Sequence, residues 1–126
     1  MATLKFENGF NGIYEVKDNK LILNKEDGLR PYDLIFGGIA GCFYSTFLEV
    51  LRLNNVSVES SEIVINGTKR KSIPTTLEYL SIHFYVKTND DKKKVRDCFY
   101  EAIEVCSLIQ TFKHVADIQT NISFKA

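Results

Sequence analysis

The residues of this chain with the widest chemical range are its three cysteines, Cys42, Cys98 and Cys106. As a thiolate, a cysteine can attack an electrophile, bind a metal or exchange with a disulfide. An odd number of cysteines argues against a structural disulfide framework. Any disulfide in this chain is therefore expected to be transient.

Cys42 lies in the segment GGIAGCFYST, where glycines interrupt an apolar run. In a helix a side chain covers the preceding turn, so Gly38 and Ile39 should cover Cys42, and Gly38 has no side chain to do so. Each helical glycine costs about 0.5–1 kcal/mol relative to alanine, which packing or function must offset. A stripe of small residues at steps of four favours close packing by another helix: Gly37, Gly41 and Ser45. The alternative is that room is cleared around a working thiol.

The other two cysteines occur on one predicted helix, eight residues apart. That spacing separates them by about 12 Å at 1.5 Å per residue. Disulfide-linked Cα atoms lie roughly 4.4–6.8 Å apart, so Cys98 and Cys106 cannot pair within one helix. Cys42 could pair with either of them, and the spacing does not choose. A helical cysteine can also be simply a small apolar residue.

The order of elements that must position these thiols is strands, helix, strands, helix, strand. Alternating residues from 4 to 24 predict a β-meander, and Pro31 suits the first turn of a helix that runs to about Asn54 or Asn55. Two strands follow, and then a helix capped by TNDD that ends or bends near Ser107. A last alternating strand completes the chain. This order predicts an α+β fold with antiparallel pairing.

Charge and composition exclude some classes of function for this chain. Sixteen basic and sixteen acidic residues give no net charge, which argues against nucleic acid and membranes as partners. The uncharged run Leu34–Leu48 is shorter than the ~20 residues that cross a bilayer, so it predicts a buried helix. No signal sequence is apparent, which predicts a cytoplasmic protein with one domain over 1–126. His83 and His114 lack zinc-site spacing, so we expect no metal.

Three segments together resemble the OsmC/Ohr family of small thiol peroxidases: RPYDLIFGGIAGCFYSTFLEVL, VSVESSEIVINGTKRKSIPTTLEYLSIHFYV and AIEVCSLIQTFKHVADIQTNISF. The resemblance implies antiparallel sheets packed on a central buried helix in an intertwined homodimer. It implies reduction of organic hydroperoxides without a cofactor, with an external thiol as reductant. By position, Cys42 is similar to the residue that attacks the peroxide and Cys106 to the one that resolves it as a disulfide. Cys98 is an addition.

The chain departs from this family at the group that activates the thiolate. A free cysteine is only a few per cent thiolate at pH 7, so we expect a cation to activate Cys42. The best-characterised peroxidases of that family use an arginine from the amino-terminal strands, held by a glutamate directly after the helix-leading proline. Here the first arginine is Arg30, Tyr32 takes the glutamate position, and Asp33 follows it. Other candidate cations are the lysines at 5, 17, 20 and 25.

Asp33 precedes Cys42 by nine residues, roughly 13 Å along a helix. We therefore expect Asp33 to act at the catalytic site only across a dimer interface. Helix position predicts an apolar substrate pocket, lined by Phe36, Phe43, Phe47 and Ile109. Such a pocket would favour organic peroxides. The competing hypothesis, favoured by the missing arginine and glutamate, is a non-catalytic OsmC-like dimer that binds an apolar small molecule or serves as a scaffold.

Overall fold

Short alternating segments at the amino terminus form an antiparallel sheet in the computed structural model, which describes residues 1–126. Its strands, in the order β1-β2-β3, are β1 (Ala2–Phe6), β2 (Asn11–Val16) and β3 (Asn19–Asn24). Between β2 and β3 the chain turns at Lys17, whose φ of 55° is left-handed. This sheet is the predicted meander.

The chain divides into two compact units, Met1–Gly37 and Gly38–Ala126. The first unit holds β1–β3 and the start of helix α1 (Pro31–Leu53). A carboxylate oxygen of Asp33 accepts a hydrogen bond from the backbone N–H of Arg30 at 2.8 Å. The N–H of Asp33 in turn donates to the carbonyl of Arg30 at 3.0 Å. This reciprocal pair resembles a capping box, and it explains why the helix begins at Pro31.

The second unit contains the rest of α1 and a sheet in the order β4-β5-β6. Its further elements are β4 (Ser60–Lys69), β5 (Leu77–Lys87), α2 (Lys92–Val105), α3 (Ser107–Phe112) and β6 (Asp117–Phe124). β4 and β5 are antiparallel, but β5 and β6 are parallel. The prediction of antiparallel pairing is therefore wrong for β6. The helices between β5 and β6 form a crossover that returns the chain to the starting end of β5.

Alternation along β5 decides which face of this sheet is buried. Phe84 and three neighbours on the same face are almost fully buried: Leu80, Ile82 and Val86. The ring of Phe84 meets Phe43 edge-on at 5.6 Å and Phe47 at 4.9 Å. Phe99 of α2 lies 5.4 Å from Phe43. The predicted core face of β5 is confirmed, and aromatic contacts fix α1 and α2 on it.

Helix α1 is long and apolar enough to cross a membrane by length and composition alone. Five of its side chains are instead buried in the protein: Ile39, Phe43, Phe47, Val50 and Leu51. The opposite side is exposed, including Gly41, Ser45 and Leu48. The prediction of a buried helix is therefore correct for one face only.

Candidate active site

Helix α1 and the junction between α2 and α3 bring two cysteines together. The sulfurs of Cys42 and Cys106 are 3.5 Å apart, and the Cys106 thiol donates to Cys42 Sγ. Cys106 ends α2 and begins α3 in an extended backbone conformation, with φ −71° and ψ 117°. A disulfide bond is about 2.05 Å long, so the two sulfurs need to approach by only about 1.5 Å. The geometry thus brings the free thiols of Cys42 and Cys106 close together.

The start of α3 supplies hydrogen-bond donors to Cys42. The pKa of Cys42 is lowered, mainly by the backbone N–H of Leu108, with burial opposing and the Ser107 and Cys106 side chains assisting. Ser107 Oγ lies 3.6 Å from Cys42 Sγ. The first N–H groups of a helix have no partner within it, so they are free to stabilise a thiolate.

Activation of Cys42 by a cation across a dimer interface stays a prediction, and the single chain already supplies other groups that act on the thiol. The groups that lower its pKa are backbone N–H groups, a hydroxyl and a thiol, and no cation is among them. A helix start near Ser107 is visible in the sequence as the predicted break in the second helix. The sequence carries no signal that this helix start points at a residue some sixty positions earlier.

The environment of Cys106 has the opposite effect. The pKa of Cys106 is raised, mainly by burial and also by Cys42, while the N–H of Ile109 partly offsets this. Its side chain is fully buried, whereas Cys42 is partly exposed. The opposite directions of the two pKa shifts favour the thiolate at Cys42 and the thiol at Cys106.

Asp33 and Arg30, the predicted activating pair, are engaged locally in the first unit. Asp33 caps α1, as described above, and the Arg30 guanidinium donates to the carbonyl of Lys25 from Nε at 3.2 Å and Nη2 at 2.9 Å. A role for Asp33 at Cys42 across a dimer interface stays a prediction.

The predicted substrate-binding residues do not form one open lining. Phe43 and Phe47 are 0% exposed and Ile109 is 2% exposed, so these three side chains belong to the core. The helix period places both phenylalanines on the side of α1 that faces the sheet. Phe36 is half-buried in the first unit, where its ring packs against Tyr32 at 5.8 Å. In the single chain Phe43 and Phe47 therefore lie in the core, whereas Ile109 lines a cavity of about 450 Å³ with residues such as Gln110 and Lys113. A role for the four residues in substrate binding stays a prediction.

The space above Cys42 agrees with the prediction from Gly38. A Cβ atom at position 38 would meet only Leu108 Cδ1, at an ordinary contact distance of 3.9 Å. Gly38 itself is exposed. The missing side chain therefore leaves the turn over the thiol uncovered.

Cys98 occupies a different site. It is buried and lines a cavity of about 210 Å³ together with Asn54, Val56, Lys94, Asp97 and Glu101. Burial is the main cause that raises the pKa of Cys98, followed by the charges of Glu101 and Asp97. No group of three or more His, Cys, Asp or Glu side chains is placed to hold a metal.

The comparisons with known proteins agree with this fold. The family model described as OsmC-like protein matches residues 24–121. The OsmC-like protein of Mycoplasma pneumoniae superposes with a TM-score of 0.89 at 12% identity over 100% of this chain and 96% of that one. An organic hydroperoxide resistance protein OsmC of Legionella pneumophila gives 0.78 at 20% identity, covering 98% and 96%. A hypothetical protein of Aquifex aeolicus VF5 gives 0.86 at 17% identity, covering 99% and 95%.

A search of curated proteins gives no match. The structural likenesses are at low identity and show the fold, whereas the family model spans most of the sequence. The chain belongs to the OsmC-like protein family.

Proposed function

We propose that this chain is a cysteine-based peroxidase that reduces organic hydroperoxides through a Cys42–Cys106 disulfide. The observation that carries the proposal is the 3.5 Å separation of two sulfurs whose pKa values shift in opposite directions. Membership of the OsmC-like family supports the substrate class, because a structural relative from Legionella pneumophila is named an organic hydroperoxide resistance protein.

In the first step the Cys42 thiolate attacks the outer oxygen of the hydroperoxide. The O–O bond breaks, Cys42 becomes a sulfenic acid, and the alkoxide leaves and takes up a proton to give the alcohol. The lowered pKa of Cys42 increases the fraction of thiolate available at neutral pH. The uncovered turn at Gly38 gives the peroxide a route to the sulfur.

In the second step the Cys106 sulfur attacks the sulfenic sulfur. A disulfide forms, and the oxygen leaves as water with the proton that Cys106 held. The Cys106 thiol already donates to Cys42 Sγ, so its proton lies beside the leaving oxygen. Prompt disulfide formation protects Cys42 from irreversible over-oxidation.

An external thiol reductant completes the cycle. Two reductant thiols exchange with the protein disulfide, restore both cysteines and leave as a disulfide of their own. All electrons come from thiols, so the proposal needs no metal or organic cofactor.

We place this activity in a cytoplasmic homodimer with a single domain over residues 1–126. Exposed apolar side chains in β1–β3 support an assembly that covers them: Leu4, Phe6, Ile13, Leu21 and Ile22. A Cβ at Gly41 would have no neighbour within 4 Å, so this side of α1 is free for a second chain. Asp33 would act across that interface.

The test is a count of free thiols after stoichiometric tert-butyl hydroperoxide. The chain has three free cysteines. The wild type should lose two free thiols, those of Cys42 and Cys106. Cys42→Ser should lose no free thiol and consume no peroxide. Cys98→Ser is the matched control, because it removes a buried cysteine outside the pair and should leave peroxide consumption unchanged. Unchanged consumption by Cys42→Ser would refute the proposal. Absence of thiol loss in the wild type would leave the apolar-ligand hypothesis.

A further inference from the structure

We propose that Ser107 is a positioning residue for Cys42, whose hydroxyl donates to the thiolate and holds the sulfur facing Cys106. The consequence for turnover rests on the proposed peroxidase function. The contact itself does not, so the two are tested separately.

The position of the Ser107 hydroxyl follows from the local backbone. Ser107 is the first residue of α3, and Cys106 directly precedes it as the N-cap. The backbone at the start of α3 therefore positions both side chains. The Ser107 Oγ lies 3.6 Å from Cys42 Sγ. The Cys106 Sγ lies 3.5 Å from the same Cys42 Sγ. Cys42 thus lies between a hydroxyl and a thiol that come from adjacent residues.

The Ser107 hydroxyl and the Cys106 thiol differ in their strength as hydrogen-bond donors and in whether they persist through the reaction. A hydroxyl is a stronger hydrogen-bond donor than a thiol, and its hydrogen rotates toward whichever acceptor is charged. A bond to an ionised acceptor is roughly twice as strong as a neutral one. The thiol of Cys106 is consumed when the disulfide forms, whereas the Ser107 hydroxyl persists through every step of the cycle. Ser107 is therefore the side-chain donor that is present each time the thiolate is regenerated.

The other groups around Cys42 limit how much the removal of the Ser107 hydroxyl can change its pKa. Among the groups that act on the Cys42 thiol, the titratable one is Cys106. The backbone N–H groups of Leu108 and Ser107 remain when the Ser107 hydroxyl is removed. On α1 the Thr46 hydroxyl donates to the Cys42 carbonyl at 2.9 Å and not to its sulfur. Loss of the Ser107 hydroxyl should thus make the Cys42 thiolate less stable relative to the thiol, while the remaining donors still stabilise it.

The test compares Ser107→Ala with Ser107→Thr, which keeps a hydroxyl. Thr111→Ala is the matched control, because the Thr111 hydroxyl on the same helix donates to the Ser107 carbonyl at 2.8 Å. The readout is the rate of Cys42 alkylation by iodoacetamide across pH, followed by peptide mass spectrometry without peroxide. Ser107→Ala should raise the pKa of Cys42 and slow alkylation at neutral pH about three- to tenfold. Ser107→Thr should restore the rate, and Thr111→Ala should leave it unchanged.

A wild-type pH profile in Ser107→Ala would overturn the proposal. A shift of the same size in Thr111→Ala would also overturn it, because the effect would then belong to the helix and not to the hydroxyl. Disulfide formation after peroxide is measured in the same variants and should slow in Ser107→Ala. If no variant forms a disulfide while the alkylation shift remains, the peroxidase function fails and the assignment of Ser107 stands.

Discussion

Cys42 and Cys98 lie on two helices of the same unit, yet the turns above them differ. In each case the residue three positions earlier is a buried aliphatic side chain, Ile39 or Val95. Four positions earlier, Cys42 has Gly38, whereas Cys98 has Lys94, which lines the same cavity as Cys98. Cys42, beside Gly38, is partly exposed, whereas Cys98 is buried.

The charges around the two thiols differ as well. Cys42 receives hydrogen bonds from the start of α3, which lower its pKa. Cys98 is buried with two carboxylates of its own helix nearby, Asp97 and Glu101, and its pKa is raised. The comparison teaches that the reactivity of a helical thiol depends on what a second element brings to it.

The largest expected difference between Cys42 and Cys98 appears when Cys106, the proposed resolving residue, is removed. In Cys106→Ser, excess tert-butyl hydroperoxide should convert Cys42 to sulfinic and sulfonic acids, because no thiol at 3.5 Å remains to trap the sulfenic acid. Intact-mass and peptide mass spectrometry should show near-complete over-oxidation at Cys42.

Cys98→Ser serves as the control for that experiment and should still form the disulfide between Cys42 and Cys106. If Cys98→Ser over-oxidises Cys42 as strongly as Cys106→Ser does, Cys98 is the resolving residue and the contrast between the sites is lost.

The next effect is selective alkylation of the reduced wild-type chain. The thiolate fraction at neutral pH rises as the pKa of a thiol falls. The opposite pKa shifts of Cys42 and Cys98 therefore predict that iodoacetamide modifies Cys42 faster than Cys98 at neutral pH. As pH rises, the rate at Cys42 should level off below the ordinary cysteine pKa and that at Cys98 above it. Equal rates for the two peptides would contradict the comparison.

Local sequence patterns predict much of the fold. The alternation in β5 predicts its buried face, and Pro31 marks the start of α1 within the capping arrangement that the structure shows. The helix break near Ser107 is also visible in the sequence. These features depend on near neighbours in the chain, which is why sequence reasoning reaches them.

The remaining features depend on long-range placement. Spacing alone leaves Cys42 free to pair with Cys98 or Cys106, and only the family resemblance favours Cys106 before the structure is known. The parallel pairing of β6 follows from the direction of the crossover, and the donors to Cys42 come from Leu108 and Ser107 on a different helix. No periodicity in the sequence encodes either arrangement.

The smallest expected effect comes from the uncovered turn above Cys42. Gly38→Ala should raise the free energy of unfolding by about 0.5–1 kcal/mol, because alanine is the better helix former and its Cβ meets Leu108 at 3.9 Å without a clash. The added methyl group should also slow alkylation of Cys42 by a bulky maleimide about twofold, while iodoacetamide is hardly affected. Urea denaturation and the two alkylation rates measure this.

Gly41→Ala is the matched control, because a Cβ at that position has no neighbour within 4 Å. It should slow neither reagent, because the added methyl group meets no other atom of the chain. A loss of stability in Gly41→Ala that grows with protein concentration would show that a second chain packs against this side of α1. Slowing by Gly41→Ala equal to that of Gly38→Ala would show that the opening at Gly38 does not control access to the thiol.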